Sequence, residues 1–144
     1  MLLSREELSR HAPGRPAALT IGVFDGVHRG HRHLIDALRA RAAERGLASG
    51  IVTLHPSPIQ VLRPDVRVAY LTSLEERVEL LRATGVDAVA PLTFTSEVAE
   101  LSAADFLGLL RETLEMRFLL MGPDNAFGRG REGTPERCRE IGEA

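Results

Sequence analysis

The fold of this chain is decided by one stretch, Gly22-Val-Phe-Asp-Gly-Val-His-Arg-Gly-His31. It follows an apolar, strand-like run that begins at Ala17, and it leads directly into a helical pattern. A strand, a glycine-containing turn and a helix start form a common phosphate-binding geometry, because the first N–H groups of a helix have no partner within it and the helix dipole is positive there. Gly22, Gly26 and Gly30 allow sharp turns and close approach of a ligand to the backbone.

Two histidines of this stretch are candidates for contacting a phosphate. His28 and His31 are three residues apart and therefore share one side of the first helical turn. An imidazole can donate a hydrogen bond to a phosphate oxygen whether it is neutral or charged. The stretch thus predicts a nucleoside triphosphate site. Two alternatives stay open: the histidines only cap the helix or line a loop, or they bind zinc, with His55 as an optional third ligand. Asp25 either forms an Asp-Gly turn or ligates a metal.

Strands and helices alternate along the chain, with glycine and proline between them. Strands are predicted at Ala17–Val23, Gly50–Leu54, Asp87–Leu92 and Met116–Met121. Helices are predicted from about Arg29 to Gly46, from a capping-box pattern at Thr72-Ser-Leu-Glu75 to Gly85, and from Ser102 and Thr134 onward. Residues 1–15 are interpreted as a polar lead-in, and residues 59–70 as a loop with at most one helical turn.

This order predicts an α/β fold with a mainly parallel sheet and helices on both faces. Ligands bind such folds beyond the carboxyl ends of the strands, near the switch in strand order. Four loops fall at that edge, at residues 24–31, 55–58, 93–97 and 122–133. A helix after the fourth strand normally leads to a further strand, so residues 1–144 are expected to form a single, C-terminally incomplete domain.

Composition limits the classes of function. A net charge of -2 argues against nucleic-acid binding through bulk electrostatics. No apolar run reaches the length of a membrane span, and the N-terminus lacks the pattern of a signal peptide. One cysteine, Cys138, excludes an internal disulfide, which fits a cytoplasmic protein. The oligomeric state stays open.

The stretch from Gly22 to His31 also resembles the opening motif of the bacterial FAD synthetases (bifunctional riboflavin kinase/FMN adenylyltransferases), in the His-x-Gly-His nucleotidyltransferase superfamily. The resemblance continues in order through Val52-Thr-Leu-His-Pro-Ser-Pro58, Leu71-Thr-Ser-Leu-Glu-Glu76, Phe94-Thr-Ser-Glu97 with Leu101-Ser-Ala-Ala-Asp-Phe106, and Gly122-Pro-Asp with Phe127-Gly-Arg-Gly130. It implies a Rossmann-like nucleotidyltransferase fold that transfers AMP from ATP to FMN with Mg²⁺, giving FAD and pyrophosphate. The family's riboflavin kinase domain is not matched.

The resemblance also implies the site residues. His28 and His31 are the implied catalytic pair, and no residue is assigned as a metal ligand. The implied nucleotide- and flavin-binding residues are Gly22, Phe24, Asp25, Gly26, Gly30, His55, Pro56, Asp124, Asn125, Phe127, Gly128 and Arg129. Which loop holds the flavin and which the adenine is left open, and Arg129 is equally readable as a solvated loop charge.

The chain departs from the family's pattern at several places. The family usually has an aromatic and then an acidic residue where this chain has Leu54 and His55, a histidine at Ser57, and a phenylalanine at Asn125. The family's second phosphate-binding motif, a Ser-Ser-Thr segment followed by arginine, lies beyond residue 144. Two other functions therefore stay open: a non-catalytic nucleotide- or flavin-binding relative, and a nucleotidyltransferase acting on another phosphate ester.

Overall fold

The computed structural model describes residues 2–122 and 133–143. Its sheet contains β1 (Ala17–Gly22), β2 (Ala48–His55), β3 (Ala88–Thr93) and β4 (Met116–Leu119). The four strands lie in the order β3-β2-β1-β4, and each pairs with its neighbours in parallel. The predicted parallel sheet is therefore confirmed, with β2 somewhat longer and β4 shorter than the sequence pattern indicates.

Seven helices accompany the sheet in the described ranges: α1 (Leu2–Ser9), α2 (Arg29–Arg45), α3 (Pro58–Leu62), α4 (Leu74–Arg82), α5 (Ser96–Ala99), α6 (Ala103–Leu114) and α7 (Pro135–Glu143). They bury two separate cores, because successive strand residues point to opposite faces. On one face Leu19 packs with Leu8 of α1 and Phe106 of α6. On the other face Ala18 packs with Ile35 of α2 and Leu81 of α4. Helices on both faces are thus confirmed.

The N-terminal residues do not form the unstructured polar lead-in that their sequence suggests. Residues 2–9 form α1, and Leu8 is completely buried against the sheet. The carboxylate of Glu7 accepts hydrogen bonds from the N–H group of Thr93 at 2.7 Å and from its hydroxyl at 2.6 Å. A helix of eight residues is marginal in isolation. The prediction is wrong because tertiary contacts, which are absent from the local pattern, stabilise this helix.

The capping box of α4 lies one residue later than predicted. Ser73, not Thr72, is the N-cap; its hydroxyl accepts from the N–H group of Glu76, whose carboxylate accepts from the N–H group of Ser73. The sequence contains two overlapping Ser/Thr-x-x-Glu patterns, and the hydroxyl of Thr72 is instead engaged with Asp25. The short helix α5 was not predicted at all; Thr95 caps its first turn.

Replacing Ser73 with alanine is expected to lower the free energy of unfolding by about 1 kcal/mol, because one N–H group of α4 loses its acceptor. Urea denaturation measures this difference. Ser96→Ala is the matched control, since Ser96 is exposed and is not the N-cap of its helix. Equal stability of the Ser73 variant and the wild type would contradict the capping geometry.

The order of the strands determines where a ligand can bind. The chain runs outward from β1 to β2 and β3, and then returns to the other side of β1 for β4. The helix that follows β1 (α2) and the helix that leads into β4 (α6) pack on opposite faces of the sheet, and the switch in strand order lies at β1. In folds of this kind ligands bind at the carboxyl end of the strands at that switch. The loop that precedes α2 begins at this point. No helix within the described ranges combines the length and apolar content needed to span a membrane.

Candidate functional site

The loop between β1 and α2, residues 23–28, has an unusual backbone. Phe24 and Val27 have positive φ values of 57° and 44°, and Gly26 has a φ of 76°. A non-glycine residue in the left-handed region costs on the order of 1–3 kcal/mol and persists only where its surroundings hold it there. Burial of both side chains, which are 4% and 3% exposed, helps to offset this cost. The sequence pattern predicts a turn at the glycines, and the positive φ values of Phe24 and Val27 are additional features of the structure.

His28 ends this loop and caps α2. Its Nδ1 atom accepts a hydrogen bond from the N–H group of Gly30 at 3.1 Å. An accepting Nδ1 places the proton of the neutral ring on Nε2, which forms no hydrogen bond with the described residues and can donate to a ligand. The prediction that His28 caps the helix therefore holds for Nδ1. Capping does not occupy Nε2. The imidazole is exposed at the N-terminus of a helix of 17 residues.

His31 lies directly against His28. The two rings are stacked, with centroids 3.6 Å apart and an angle of 22° between their planes. The ring of Phe24 contacts His31 edge-on, at 5.1 Å and 74°. Nδ1 of His31 is buried and has no hydrogen-bond partner among the described residues. Burial, followed by the neighbouring His28, lowers the pKa of His31, although Asp25 opposes this effect.

Two glycines of the motif make room for its aromatic rings. A Cβ atom at Gly22 would lie 3.0 Å from Cε2 of Phe24, and one at Gly30 would lie 3.1 Å from Cε1 of His28. Both distances are tighter than ordinary van der Waals contact. The structure thus shows an internal packing reason for these glycines, besides the close approach of a ligand that the sequence suggests.

Asp25 anchors the loop to the segment that precedes α4. Its carboxylate accepts hydrogen bonds from the N–H groups of Leu71 and Thr72, at 2.7 and 2.9 Å, and from the hydroxyl of Thr72 at 2.7 Å. Burial alone raises its pKa, but these hydrogen bonds and the charge of Arg77 outweigh burial and lower the pKa of Asp25 below 3.8. The Asp25-Gly26 turn is present, and both carboxylate oxygens are engaged within the protein.

His55 and Pro56 follow β2 at the same edge of the sheet. Nδ1 of His55 lies 3.4 Å from Nη2 of Arg77, and the His55 ring is 5.2 Å from that of Tyr70. The Tyr70 hydroxyl accepts from the N–H group of Ser57 at 2.9 Å, which holds the turn after Pro56. Burial, and then the charge of Arg77, lowers the pKa of His55, while Glu75 and Asp25 oppose this.

The zinc alternative needs at least a third protein ligand beside His28 and His31, for which the sequence offers His55. Among the described residues, no three side chains of histidine, cysteine, aspartate or glutamate converge as a metal site. The structure therefore does not bring the three histidines together. The remaining sequence-based candidates, Asp124, Asn125, Phe127, Gly128 and Arg129, lie outside the described residues, so their assignment stays a prediction.

Sequence reasoning overlooked Arg77, which is completely buried beneath this edge. Its Nη1 atom donates to the carbonyl of Leu54 at 3.1 Å and to the hydroxyl of Thr53 at 3.2 Å. One signal could have revealed it: Arg77 falls between Leu74 and Leu81 on the inward stripe of the predicted helix. An arginine at such a position has to find partners inside the protein.

Acidification is expected to destabilise the protein as the pH falls below about 6.5. His31 and His55 both have pKa values lowered from 6.5, so the folded protein binds fewer protons than the unfolded chain there, and the free energy of unfolding decreases. Urea denaturation at about pH 7.5 and about pH 5.5 measures the decrease. His55→Gln should reduce it, whereas His33→Gln, at an exposed position, should not. A stability independent of pH over this range would refute the expectation.

The switch in strand order beside β1 makes this chain a doubly wound α/β protein, and the histidine pair at the start of α2 follows the strand at that switch point. More particularly, the chain belongs to the FAD synthetase family, whose model matches residues 11–144. This confirms the resemblance seen in the sequence.

Two relatives support the assignment to this family. The chain is 41% identical to the bifunctional riboflavin kinase/FMN adenylyltransferase of Escherichia coli (strain K12), over 85% of this chain and 39% of that protein. It is 38% identical to the protein of the same name from Pseudomonas fluorescens, over 89% of this chain and 41% of that protein. The chain thus spans about two fifths of the length of these relatives.

A solved structure shares the fold. The crystal structure of a macrolide-efflux protein from Streptococcus pneumoniae superposes with a TM-score of 0.80 and 25% identity, covering 94% of this chain and 45% of that one. The match extends over nearly all of the described architecture, so the arrangement of helices and strands is that of a known protein fold.

Proposed function

We propose that this chain is an FMN adenylyltransferase, which transfers AMP from ATP to FMN and releases pyrophosphate. The observation that carries the proposal is the stacked pair of His28 and His31 at the N-terminus of α2, at the switch point of the sheet. Family membership and the names of the relatives support the choice of substrates.

The proposed reaction needs positioning and charge stabilisation more than a covalent nucleophile. A phosphate oxygen of FMN attacks the α-phosphorus of ATP; the new P–O bond forms as the bond to the bridging oxygen breaks, and pyrophosphate leaves. His28 donates from Nε2 to a phosphate oxygen, since its Nδ1 is committed to Gly30. His31 and the free N–H groups of α2 stabilise the negative charge on the same phosphates.

Residues around this pair are proposed to bind the nucleotide and flavin. Gly22, Phe24, Asp25, Gly26 and Gly30 form and hold the loop in which the phosphates lie. His55 and Pro56 contribute the neighbouring edge. The proposed binding residues of the loop after β4, on the flavin or the adenine side, are Asp124, Asn125, Phe127, Gly128 and Arg129.

Mg²⁺ is implied by the family, and the described residues can be tested for a fit to it. Mg²⁺ prefers carboxylate oxygens and usually retains several waters and substrate phosphates as ligands. In the β1–α2 loop both oxygens of Asp25 already accept hydrogen bonds, and no acidic cluster is found in the described ranges. Among the described residues there is therefore no protein-held Mg²⁺ site.

Residues 1–144 are proposed to act as one adenylyltransferase unit that binds small molecules and not nucleic acid. A cytoplasmic location is proposed because ATP and FMN are intracellular metabolites and because the sequence has a single cysteine.

Calorimetric titration with Mg²⁺-ATP and then FMN, followed by an assay for FAD, tests the function. Binding of both ligands with formation of FAD and pyrophosphate is the expected result. Phosphopantetheine in place of FMN is the control, and pyrophosphate release with it would favour a nucleotidyltransferase for another phosphate ester. Binding without FAD would contradict the proposal and favour the non-catalytic relative.

A further inference from the structure

Burying Arg77 carries a large desolvation penalty, because its guanidinium is charged. Its side chain is 0% exposed, and its Nε atom has no hydrogen-bond partner among the described residues. Burial lowers the pKa of its guanidinium, and the nearby Asp25 and Tyr70 oppose this effect. A buried cation with an unsatisfied donor is weak evidence for a purely stabilising role. Its hydrogen bonds indicate a different role, which is to hold the β1–α2 loop in place.

The guanidinium is linked to the first residue of the β1–α2 loop through one hydroxyl. Nη1 of Arg77 donates to Oγ1 of Thr53 at 3.2 Å, and this hydroxyl donates to the carbonyl of Val23 at 2.7 Å. A threonine hydroxyl has one proton, so its donation to Val23 leaves its lone pairs to accept from Arg77. The donor and acceptor roles of all three groups are therefore consistent. The two hydrogen bonds connect α4 through β2 to the first residue of the loop.

A second connection joins the same loop to the residues just before α4. Asp25 accepts from Leu71 and Thr72, immediately before the N-cap Ser73. Between the two connected residues, Val23 and Asp25, lies Phe24, which has a positive φ and packs edge-on against His31. The start of α4 thus holds the loop on both sides of the residue that contacts the histidine pair.

We propose that Arg77 is a positioning residue for His28 and His31, acting through Thr53 and Val23 without touching the nucleotide. The expected effect on catalysis rests on the proposed adenylyltransferase function. The expected effect on the positions of the histidine rings does not depend on that function. Loss of the link lets Val23 and Phe24 shift, and the two imidazoles lose their alignment with the phosphates. A misplacement of about 1 Å far from the chemistry can reduce a rate about 100-fold.

The test uses five variants of the 144-residue chain. Arg77→Met removes the donors and retains an unbranched apolar side chain. Thr53→Val breaks the link and leaves the guanidinium in place, and the double variant combines both. Arg82→Met is the matched control, because Arg82 is an exposed arginine of the same helix. Arg77→Lys tests for partial rescue by a single charged donor.

Two measurements are made on each folded variant. The first is the ¹H–¹³C NMR spectrum of the histidine rings, which requires no activity. The second is steady-state formation of FAD. We expect Thr53→Val and Arg77→Met to shift the ring signals of His28 and His31 but not of His33. We expect kcat to fall about 10- to 100-fold with the KM for ATP changed by less than about threefold. Arg77→Lys should recover part of kcat.

The double variant tests whether Arg77 and Thr53 act through the same series of hydrogen bonds. It should lose no more activity than Arg77→Met alone, because both changes break the same link. Unchanged ring signals in Thr53→Val, or losses in the single variants that simply add, would overturn the inference, even if Arg77→Met fails to fold. If the wild type makes no FAD while the ring signals still shift, the proposed function fails and the positioning role stands.

Discussion

Replacing His28 with alanine is expected to reduce the kcat for FAD formation by about 100-fold or more while lowering the free energy of unfolding by only about 1 kcal/mol. The small loss of stability follows from the cap: Nδ1 accepts one hydrogen bond from Gly30, and such caps contribute about 1 kcal/mol. The large loss of activity follows from Nε2, since removal of one preorganised donor to a developing negative charge typically costs about 100- to 1,000-fold. Steady-state kinetics and urea denaturation measure the two effects.

A second substitution at the same position separates capping from catalysis. His28→Asn retains a side-chain acceptor suited to the N-cap but lacks the imidazole Nε2–H group. It should restore most of the stability and none of the activity. His33→Ala, at an exposed position on the same helix, should change neither. Recovery of kcat in His28→Asn would show that His28 serves only to cap α2.

Replacing Asp25 with asparagine is expected to lower the free energy of unfolding by about 2 kcal/mol and to reduce kcat about tenfold. The substitution preserves the shape of the side chain but turns one acceptor into an NH₂ donor, so the N–H group of Leu71 or of Thr72 loses its partner. Hydrogen bonds to a charged group contribute about 1.5–3 kcal/mol each, and the partly exposed position places the loss at the lower end. Chemical denaturation and steady-state kinetics test both values.

The pH dependence of this loss provides an internal check. The pKa of Asp25 is lowered from 3.8, so its stabilising contribution is complete above that pH and is lost as the pH falls through the lowered pKa. Wild type and Asp25→Asn should therefore converge in stability under strongly acidic conditions. Asp36→Asn, at an exposed position on α2, is the control. A gap between wild type and variant that does not narrow in acid would show that the charge of Asp25 is not the cause.

The sheet and most helices could be predicted because each has a strong local signal. The buried strand at Ala17–Gly22 is a continuous apolar run, and α2 ends at Gly46, which has a φ of 65°. The signal for α1 was weaker, because its stability depends on Leu8 and Glu7 contacting residues more than eighty positions away. Periodicity within a segment does not report such contacts.

The sequence predicts part of the arrangement around the β1–α2 loop and misses other contacts there. The pattern of two histidines after a strand correctly placed His28 and His31 together. It did not show that Asp25 faces α4, since Thr72 and Glu75 offered a plausible capping box that competes with the true contact. Arg77 was missed because arginine is usually exposed, and only its inward position on the helix indicates otherwise.

The two glycine–ring pairs of the β1–α2 region have a consequence for how this sequence can change over time. Phe24 occupies the volume that a side chain at Gly22 would need, and His28 occupies the volume beside Gly30. Substitutions within each pair are therefore interdependent: while the ring is present, a side chain at the glycine requires the ring to shift by a few tenths of an ångström, and loss of the ring removes that requirement. Such coupled substitution arises from steric exclusion within the polypeptide, independently of any molecule that it binds.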